Sequence, residues 1–296
     1  MRILKWLKKP ASPRAERLRR QWIKFASNRL SLLGLVVVIA LALIAIFAPQ
    51  MSPYPKHSGL YLDFASANQP PSWQHLAGTD EYGRDILSRM FYGLRVSLGI
   101  GGLVLAIGVP IGVLLGLIAG YNRNTWIDTA IMRFTDLFMA IPPLILALVV
   151  AAMFTPGYFF AAVGIATAWW PWYTRLTYSI VRSLSNEMYV TYTELSGART
   201  RHIILKEILP NAVSPIFTKM SLDMGMIIII ASTMSFVGLG VQPPAPSLGS
   251  MVSNGIKYLP ELWWIPIFPA LMVVLIVLGF NLLGDGLRDL FAIEEF

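Results

Sequence analysis

Residues 31–48 read SLLGLVVVIALALIAIFA and carry no charge. As a helix rising about 1.5 Å per residue, this run is about 27 Å long, close to the ~30 Å hydrocarbon core of a bilayer. A backbone in lipid must satisfy its own hydrogen bonds, so such a run folds as a helix. Five more apolar regions follow, at about 94–120, 126–154, 158–182, 212–239 and 263–284. The whole chain is 55% hydrophobic and only 14% charged, where a soluble domain carries about 25% charged residues. A soluble protein of 296 residues could not cover that much apolar surface with polar groups. An ordinary soluble enzyme, a disordered chain and a disulfide scaffold are excluded. The expected fold is an all-α polytopic membrane bundle of six transmembrane helices.

The formal net charge is +8. In a soluble protein that would raise the question of nucleic acid. Here it reads as basic loops beside a bilayer, with no nucleic-acid partner. Ten basic residues lie at 1–30: Arg2, Lys5, Lys8, Lys9, Arg14, Arg17, Arg19, Arg20, Lys24 and Arg29. A basic stretch before an apolar run also suits a signal peptide. This apolar run exceeds the usual 7–15 residues of one, so 31–48 reads as an uncleaved first span. Six spans place both termini on one side. With that side inside, the inner segments gain Arg123, Arg133, Arg175, Arg182, Arg199, Arg201, Lys206, Lys219 and Arg288. The outer ones hold Lys56, Arg84, Arg89 and Lys257, with Arg95 at the boundary. The asymmetry predicts cytoplasmic termini in a cell membrane. The expected division is a basic arm at 1–30, a first helix at 31–48, an extracytoplasmic loop at 49–92, a five-helix core at 93–285 and a cytoplasmic tail at 286–296. The loop is punctuated by Pro49, Pro53, Pro55, Pro70 and Pro71.

Gly108, Gly112, Gly116 and Gly120 recur every four residues and share one helical face. Such a strip lets another backbone approach closely in lipid. Pro142, Pro143 and Pro171 interrupt the third and fourth regions, either as hinges or as static kinks. Arg133 and Asp136 share a helical face and are expected to pair. Arg175, Arg182 and Asp223 read as lying near span ends, so no run of carboxylates crosses the bilayer centre. Trp169, Trp170 and Trp172 suit an interfacial aromatic belt. The chain has no cysteine, and His57, His75 and His202 are scattered. No catalytic centre, metal site or cofactor is expected.

The segment 186–211 is the most informative. Residues 188–195 and 202–209 have helix-like amphipathic patterns, Gly197 breaks them, and Pro210 follows the second. Apolar Ile203, Ile204, Leu205, Ile208 and Leu209 are interleaved with Arg199, Arg201, Lys206 and Glu207. A helix–turn–helix of this kind either docks a soluble partner or lies on the lipid surface.

With Pro210 thirteen residues after Gly197, inside the run ILPN, and YV before the glycine, the segment resembles the "EAA" loop of bacterial and archaeal ABC importer permeases. Carried over residue by residue, Tyr189, Val190, Gly197, Ala198, Ile203, Ile204, Ile208, Leu209, Pro210 and Asn211 match. The Glu-Ala-Ala positions fall on Thr191, Tyr192 and Thr193, and Glu194 is not at the motif's glutamate position. GTDEYGRDILSRMFYGLRVSL (78–98), MRFTDLFMAIP (132–142), FVGLGVQPPAPSLGSM (236–251) and FNLLGDGLRD (280–289) narrow the likeness. Together they resemble the dipeptide/oligopeptide/nickel permeases, in particular their second, C-type subunit, over about residues 20–290.

The resemblance implies a type I ABC importer permease fold. It implies that residues 189–198, including Leu195 and Ser196, form ATPase-coupling helices with the matched positions of 203–211. It also implies a heterodimeric pore with a related permease subunit, two ATP-binding subunits, an extracytoplasmic substrate-binding protein and a surrounding lipid bilayer. The chain carries no GxxxxGK[ST] sequence, so it does not bind ATP in that way itself. The implied cargo is a di- or oligopeptide, with nickel chelates, glutathione and oligosaccharides as alternatives in the same group. A secondary carrier is the distant rival; it would show midplane ionisable groups or broken helices.

Overall fold

The computed structural model describes Glu16, Trp22, Ile23 and residues 25–291. Most of the expected basic arm and the last five residues of the tail lie outside the described residues. Within them, every regular element is a helix, and the one β feature is an isolated bridge between Thr79 and Asp85.

The helices are α1 (Arg29–Ile46), α2 (Ala48–Met51), α3 (Ile86–Tyr121), α4 (Trp126–Met139), α5 (Pro143–Ala152), α6 (Tyr158–Leu184), α7 (Met188–Leu195), α8 (Thr200–Val237), α9 (Leu248–Ile256) and α10 (Trp264–Phe291). Starts are set by side chains that accept orphan backbone N–H groups. Asn28 caps α1, Asp85 α3, Thr125 α4 and Ser247 α9. Gly238, at φ +91°, ends the long apolar run of α8 in the left-handed conformation.

Close contacts fix the directions. Gly108, Gly112, Gly116 and Gly120 of α3 face Trp169, Tyr173, Thr177 and Val181 of α6 in turn, so these helices run parallel. Between them the chain returns along α6. Asp128 reaches Tyr178, Asp136 reaches Arg175, Phe138 meets Trp170 edge-on, and Ala151 packs against Gly164. Helix α8 opposes α3: Gly101 lies against Met224, and Val113 lines the same groove as Leu209 and Val213. Leu222 and Val277 place α10 antiparallel to α8, against Gly284 and Gly225. Ser31 and Val37 place α1 antiparallel to α10, against Gly286 and Gly279. The six units α1, α3, α4–α5, α6, α8 and α10 therefore alternate in direction.

Length and apolar content alone pick out four of them as membrane spans: α1, α3, α8 and α10. A fifth is counted if α4 and α5, bent by 88° at their junction, are one broken span. Residues 126–154 are thus not the single kinked helix expected. The cause is Pro143. A residue before proline is driven out of the helical region, and Pro142 sits at φ −53°, ψ 129°. The remaining unit, α6, has 27 residues, about 40 Å of helix. It fails on apolar content because it carries Trp, Tyr and Thr together with Arg175 and Arg182. It is central: Ala161, Ala162, Ile165, Ala166, Trp169 and Tyr173 join residues of α3, α5 and α8 in one core. Trp169 is buried in that core and Trp170 is buried beside it in sequence, both in mid-helix and not in an interfacial belt. A second core joins α1, α3, α8, α9 and α10.

Two further expectations change. Asp136 pairs with Arg175 of α6 at 3.1 Å, while Arg133 is exposed. Asp223 is buried halfway along the stretch Leu209–Val237, paired with Lys219 at 3.0 Å, and is not at a span end.

The glycines of α3 are not equivalent. A Cβ at Gly116 would lie 2.6 Å from the Thr174 carbonyl oxygen and the Thr177 Cβ, and one at Gly120 2.7 Å from the Val181 Cβ. A Cβ at Gly108 would lie no closer than 3.6 Å to any neighbour. Gly116→Val is expected to destabilise the bundle by about 1–3 kcal/mol through overpacking. Gly108→Ala should be neutral or stabilising, since alanine favours a helix by about 1 kcal/mol over glycine. Thermal unfolding in mild detergent checks the ordering.

Candidate coupling surface

At the end of the bundle where α3 and α6 finish, a third small core forms. Leu117 of α3, Val181 of α6, Val190 of α7 and Ile203 and Ile208 of α8 are buried together, with Ala198, Ile204 and Leu209 partly buried around them. Helix α7 is thereby fixed to the ends of the two packed helices. Asn186 adds a contact, its Oδ1 accepting from Arg123 Nη1 of the α3–α4 loop at 2.6 Å.

The turn after α7 is set by Gly197. The Gly197 N–H donates to the Glu194 carbonyl at 2.9 Å, and the Ala198 N–H donates to the Thr193 carbonyl at 3.3 Å. This paired closure is the Schellman motif, which puts its glycine in the left-handed region. Gly197 has φ +80°, and a Cβ there would meet nothing within 4 Å. Its constraint is backbone conformation, not space.

Beyond the turn, the first part of α8 is widened: Ile203–Ile208 form a π-helix, with the Leu209 N–H donating to the Ile204 carbonyl. Pro210 is the local reason, because its missing N–H and its ring disturb the regular pattern one turn back. Asn211 repairs part of this: its Nδ2 donates to the Glu207 carbonyl at 2.7 Å. The same nitrogen donates to Tyr189 Oη at 3.2 Å and so ties α8 to α7. Burial pushes the Tyr189 phenol above its ordinary value, so it acts as a neutral hydroxyl.

The outward face of α7 is apolar and unsupported. Met188, Tyr192 and Leu195, spaced four and three residues apart on one side of the helix, are 76%, 67% and 78% exposed. Thr191, Glu194, Ser196 and Pro210 are exposed too, and Thr193 is half-buried. The segment thus divides into an anchor (Val190, Ile203, Ile208) and an exposed ridge (Met188, Tyr192, Leu195). Sequence periodicity finds the amphipathic helix but not which side holds it to the bundle.

At the opposite end, residues 52–90 form a compact polar cap. Asp85 accepts from the Ser88 N–H at 2.7 Å and meets His75 Nδ1 at 2.9 Å. The Asp85 N–H donates to His57 Nδ1 at 2.9 Å. Arg84 pairs with Asp80 at 2.7 Å, and Arg89 Nη1 donates to the His57 carbonyl at 3.2 Å. Among the described residues no group of three or more His, Asp or Glu could hold a metal ion.

This architecture is that of a membrane permease. Residues 112–292 match the family described as "Binding-protein-dependent transport system inner membrane component". Residues 17–71 match "N-terminal TM domain of oligopeptide transport permease C". The chain is 39% identical over 278 residues to the di/tripeptide transport system permease protein DppC of Pseudomonas aeruginosa (strain UCBPP-PA14), covering 92% of this chain and 90% of that protein. It is 40% identical over 274 residues to the dipeptide transport system permease protein DppC of Escherichia coli (strain K12), covering 90% of each. The oligopeptide transport system permease protein OppC of Bacillus subtilis (strain 168) is 34% identical over 267 residues, covering 90% of this chain and 86% of that protein. A solved chain of the MetNI methionine ABC transporter, in an inward-facing conformation, shares the fold. Its TM-score is 0.53 at 18% identity, covering 69% of this chain and 95% of that one. The chain belongs to the inner-membrane permease family of binding-protein-dependent ABC importers, in its dipeptide and oligopeptide C-type branch. It is a multi-span permease subunit and not an enzyme.

Two outcomes follow. Gly197→Val should loosen the turn by about 1–2 kcal/mol, the cost of a left-handed residue with a Cβ, and Gly197→Asn should cost less. Hydrogen exchange over residues 188–200 reads the difference. In the polar cap, burial lowers the His57 pKa below its ordinary 6.5, with the charge of Asp85 opposing. Protonation of Nδ1 also breaks its bond with the Asp85 N–H. The folded cap binds this proton less well than the unfolded chain, so His57 contributes stability above pH 6.5 that is lost as pH falls further. Backbone protection over residues 54–88 should drop severalfold from pH 7.5 to 5.5. The drop should be smaller in His57→Asn, which keeps an acceptor and does not titrate.

Proposed function

We propose that this subunit forms half of the translocation pore of an ATP-driven importer of di- or oligopeptides. In this reading α7 and the first turns of α8 receive the movements of an ATP-hydrolysing subunit. The ridge of Met188, Tyr192 and Leu195 carries the proposal. A helix fixed on one side by Val190 and bare on the other fits a groove in a partner by i, i+4, i+7 anchoring. The glycine strip Gly108, Gly112, Gly116 and Gly120 serves helix packing. Six alternating units, with α6 taken as a full span, support a topology with both termini on the side of α7, and the excess of Arg and Lys supports that side as the cytoplasmic one.

The assembly comprises a related permease subunit, two ATP-binding subunits and an extracytoplasmic substrate-binding protein that docks on the outer cap. The peptide cargo rests on the likeness to dipeptide, di/tripeptide and oligopeptide permeases. Thr191 stands where the family's motif has glutamate, so contact with the ATPase here relies on the apolar ridge more than on that charge.

The test uses the assembled transporter in proteoliposomes with its binding protein. Leu195→Asp should cut peptide uptake and peptide-stimulated ATP hydrolysis by at least about tenfold, with the thermal midpoint of the bundle unchanged. Cross-linking from a cysteine placed at Tyr192 should trap the ATP-binding subunit. Uptake that survives Leu195→Asp, or cross-links to lipid only, would assign α7 to the membrane surface instead.

A further inference from the structure

Two ion pairs lie along the helices away from the coupling end, and the pore subunit's coupling role makes no use of them. Arg175 of α6 meets Asp136 of α4 at 3.1 Å, with side chains 55% and 39% exposed. Lys219 of α8 meets Asp223 at 3.0 Å, with side chains 27% and 12% exposed. Trp172, one turn before Arg175, joins them: the Lys219 Nζ lies 5.8 Å from its ring centroid, and the indole is 40% exposed. Arg175 is nine residues before the end of α6, and Lys219 ten residues after Leu209. Each is about 14–15 Å along its helix from the coupling end.

The cations turn to carboxylates at that depth and not toward the interface. An ionised pair this open is costly against lipid tails, and intramembrane charges face a bundle interior or a water-filled cavity. The surrounding surface differs: the open groove between α3 and α8 is lined by Leu105, Val109, Val213 and Phe217 among other apolar groups, as befits contact with lipid or another helix. The charged patch is also neutral as a whole, two cations against two anions, so it offers exchangeable partners without trapping either sign.

We infer that Arg175, Asp136, Trp172 and Lys219 line a hydrated stretch of the translocation path and hold the ends of a zwitterionic peptide in passage. The peptide carboxylate takes Asp136's place on Arg175, and the peptide ammonium takes Arg175's place on Asp136. The inference deepens the peptide-importer reading and rests on it.

The absence of cysteine in the chain makes the test direct. W172C is built into the assembled transporter, reconstituted in nanodiscs for labelling and in proteoliposomes with its binding protein for uptake, and modification is read by mass on this chain. An anionic, membrane-impermeant methanethiosulfonate should react, and millimolar L-alanyl-L-alanine should slow the reaction at least about threefold. R175Q should raise the KM for L-alanyl-L-alanine uptake at least about fivefold with an unchanged thermal midpoint, and R175K should restore it. Reaction with only a lipid-soluble maleimide would place the patch against lipid and overturn the inference. Reactivity in the separated subunit that vanishes on assembly would make the patch a contact with the second permease, and also overturns it. Modification without protection, in a preparation whose proteoliposomes do take up L-alanyl-L-alanine, removes the peptide-holding role. Vesicles that hydrolyse ATP but do not import this dipeptide fail the peptide reading itself, and the impermeant reagent then decides the hydrated path alone.

Discussion

Tyr173 and Thr177 of α6 stand over Gly112 and Gly116 of α3 so closely that no side chain fits between the helices. In lipid there is little hydrophobic drive between helices, so this backbone approach and its dispersion contacts hold the bundle. Because the two helices run parallel, the chain must climb back from Tyr121 to Tyr158 between them. The broken pair α4–α5 does this along α6, bending at Pro142–Pro143. Helix α6 is thereby covered on several sides, by α3, α4–α5 and α8. A helix so enclosed has no need of a continuous aliphatic surface, and it carries Trp169, Trp170, Tyr173 and Thr174 in their place.

That enclosure explains what the sequence made legible and what it did not. The helices facing lipid, such as α1 and α10, announce themselves as uncharged aliphatic runs. The glycine period in α3 points to a close neighbour, but nothing local names α6 as that neighbour or sets their parallel order. The Arg133–Asp136 spacing favours a pair within one helix, yet Asp136 meets Arg175, because tertiary packing offered a cation from the facing helix. Asp223 looks like an end residue when its region is read as a uniform apolar run. Its place in the middle depends on where the regular α-helical stretch Leu209–Val237 of α8 starts and stops, which Pro210 and Gly238 decide. In 186–211 the amphipathic pattern, the glycine turn and the proline were all readable. The π-helix was not, since it arises from Pro210 acting one turn back on residues of ordinary helical propensity.

Anchor and ridge have different mechanical meanings in α7. Val190 shares a core with Leu117 and Val181, the last turns of the two glycine-packed helices. A close-packed core transmits displacement and does not absorb it. Any force on Met188, Tyr192 or Leu195 therefore passes through that core to the ends of α3 and α6 and to Ile203 and Ile208 at the start of α8. The route onward to the rest of α8 is softer. It runs through the Gly197 turn and the π-helix, whose hydrogen bonds are already displaced from the regular ladder, and through the Tyr189–Asn211 contact. Under the proposed coupling, a partner pulling on α7 moves α3 and α6 as one body, and the π-helix at Ile203–Ile208 is the pivot for the rest of α8.

The same body reaches the opposite face. Helix α3 has 36 residues, about 54 Å, far more than the ~30 Å hydrocarbon core requires. At the end away from α7, Asp85 caps it within the His57, His75 and Ser88 network and Arg89 joins Asp80 and the His57 carbonyl. One rod thus begins in the polar cap and ends in the core that seats α7. A coupling free energy between two faces needs an element whose position both faces bias. Here α3 is in covalent and packed contact with both, and the charged patch on α4, α6 and α8 lies beside the α3–α6 contact, between them.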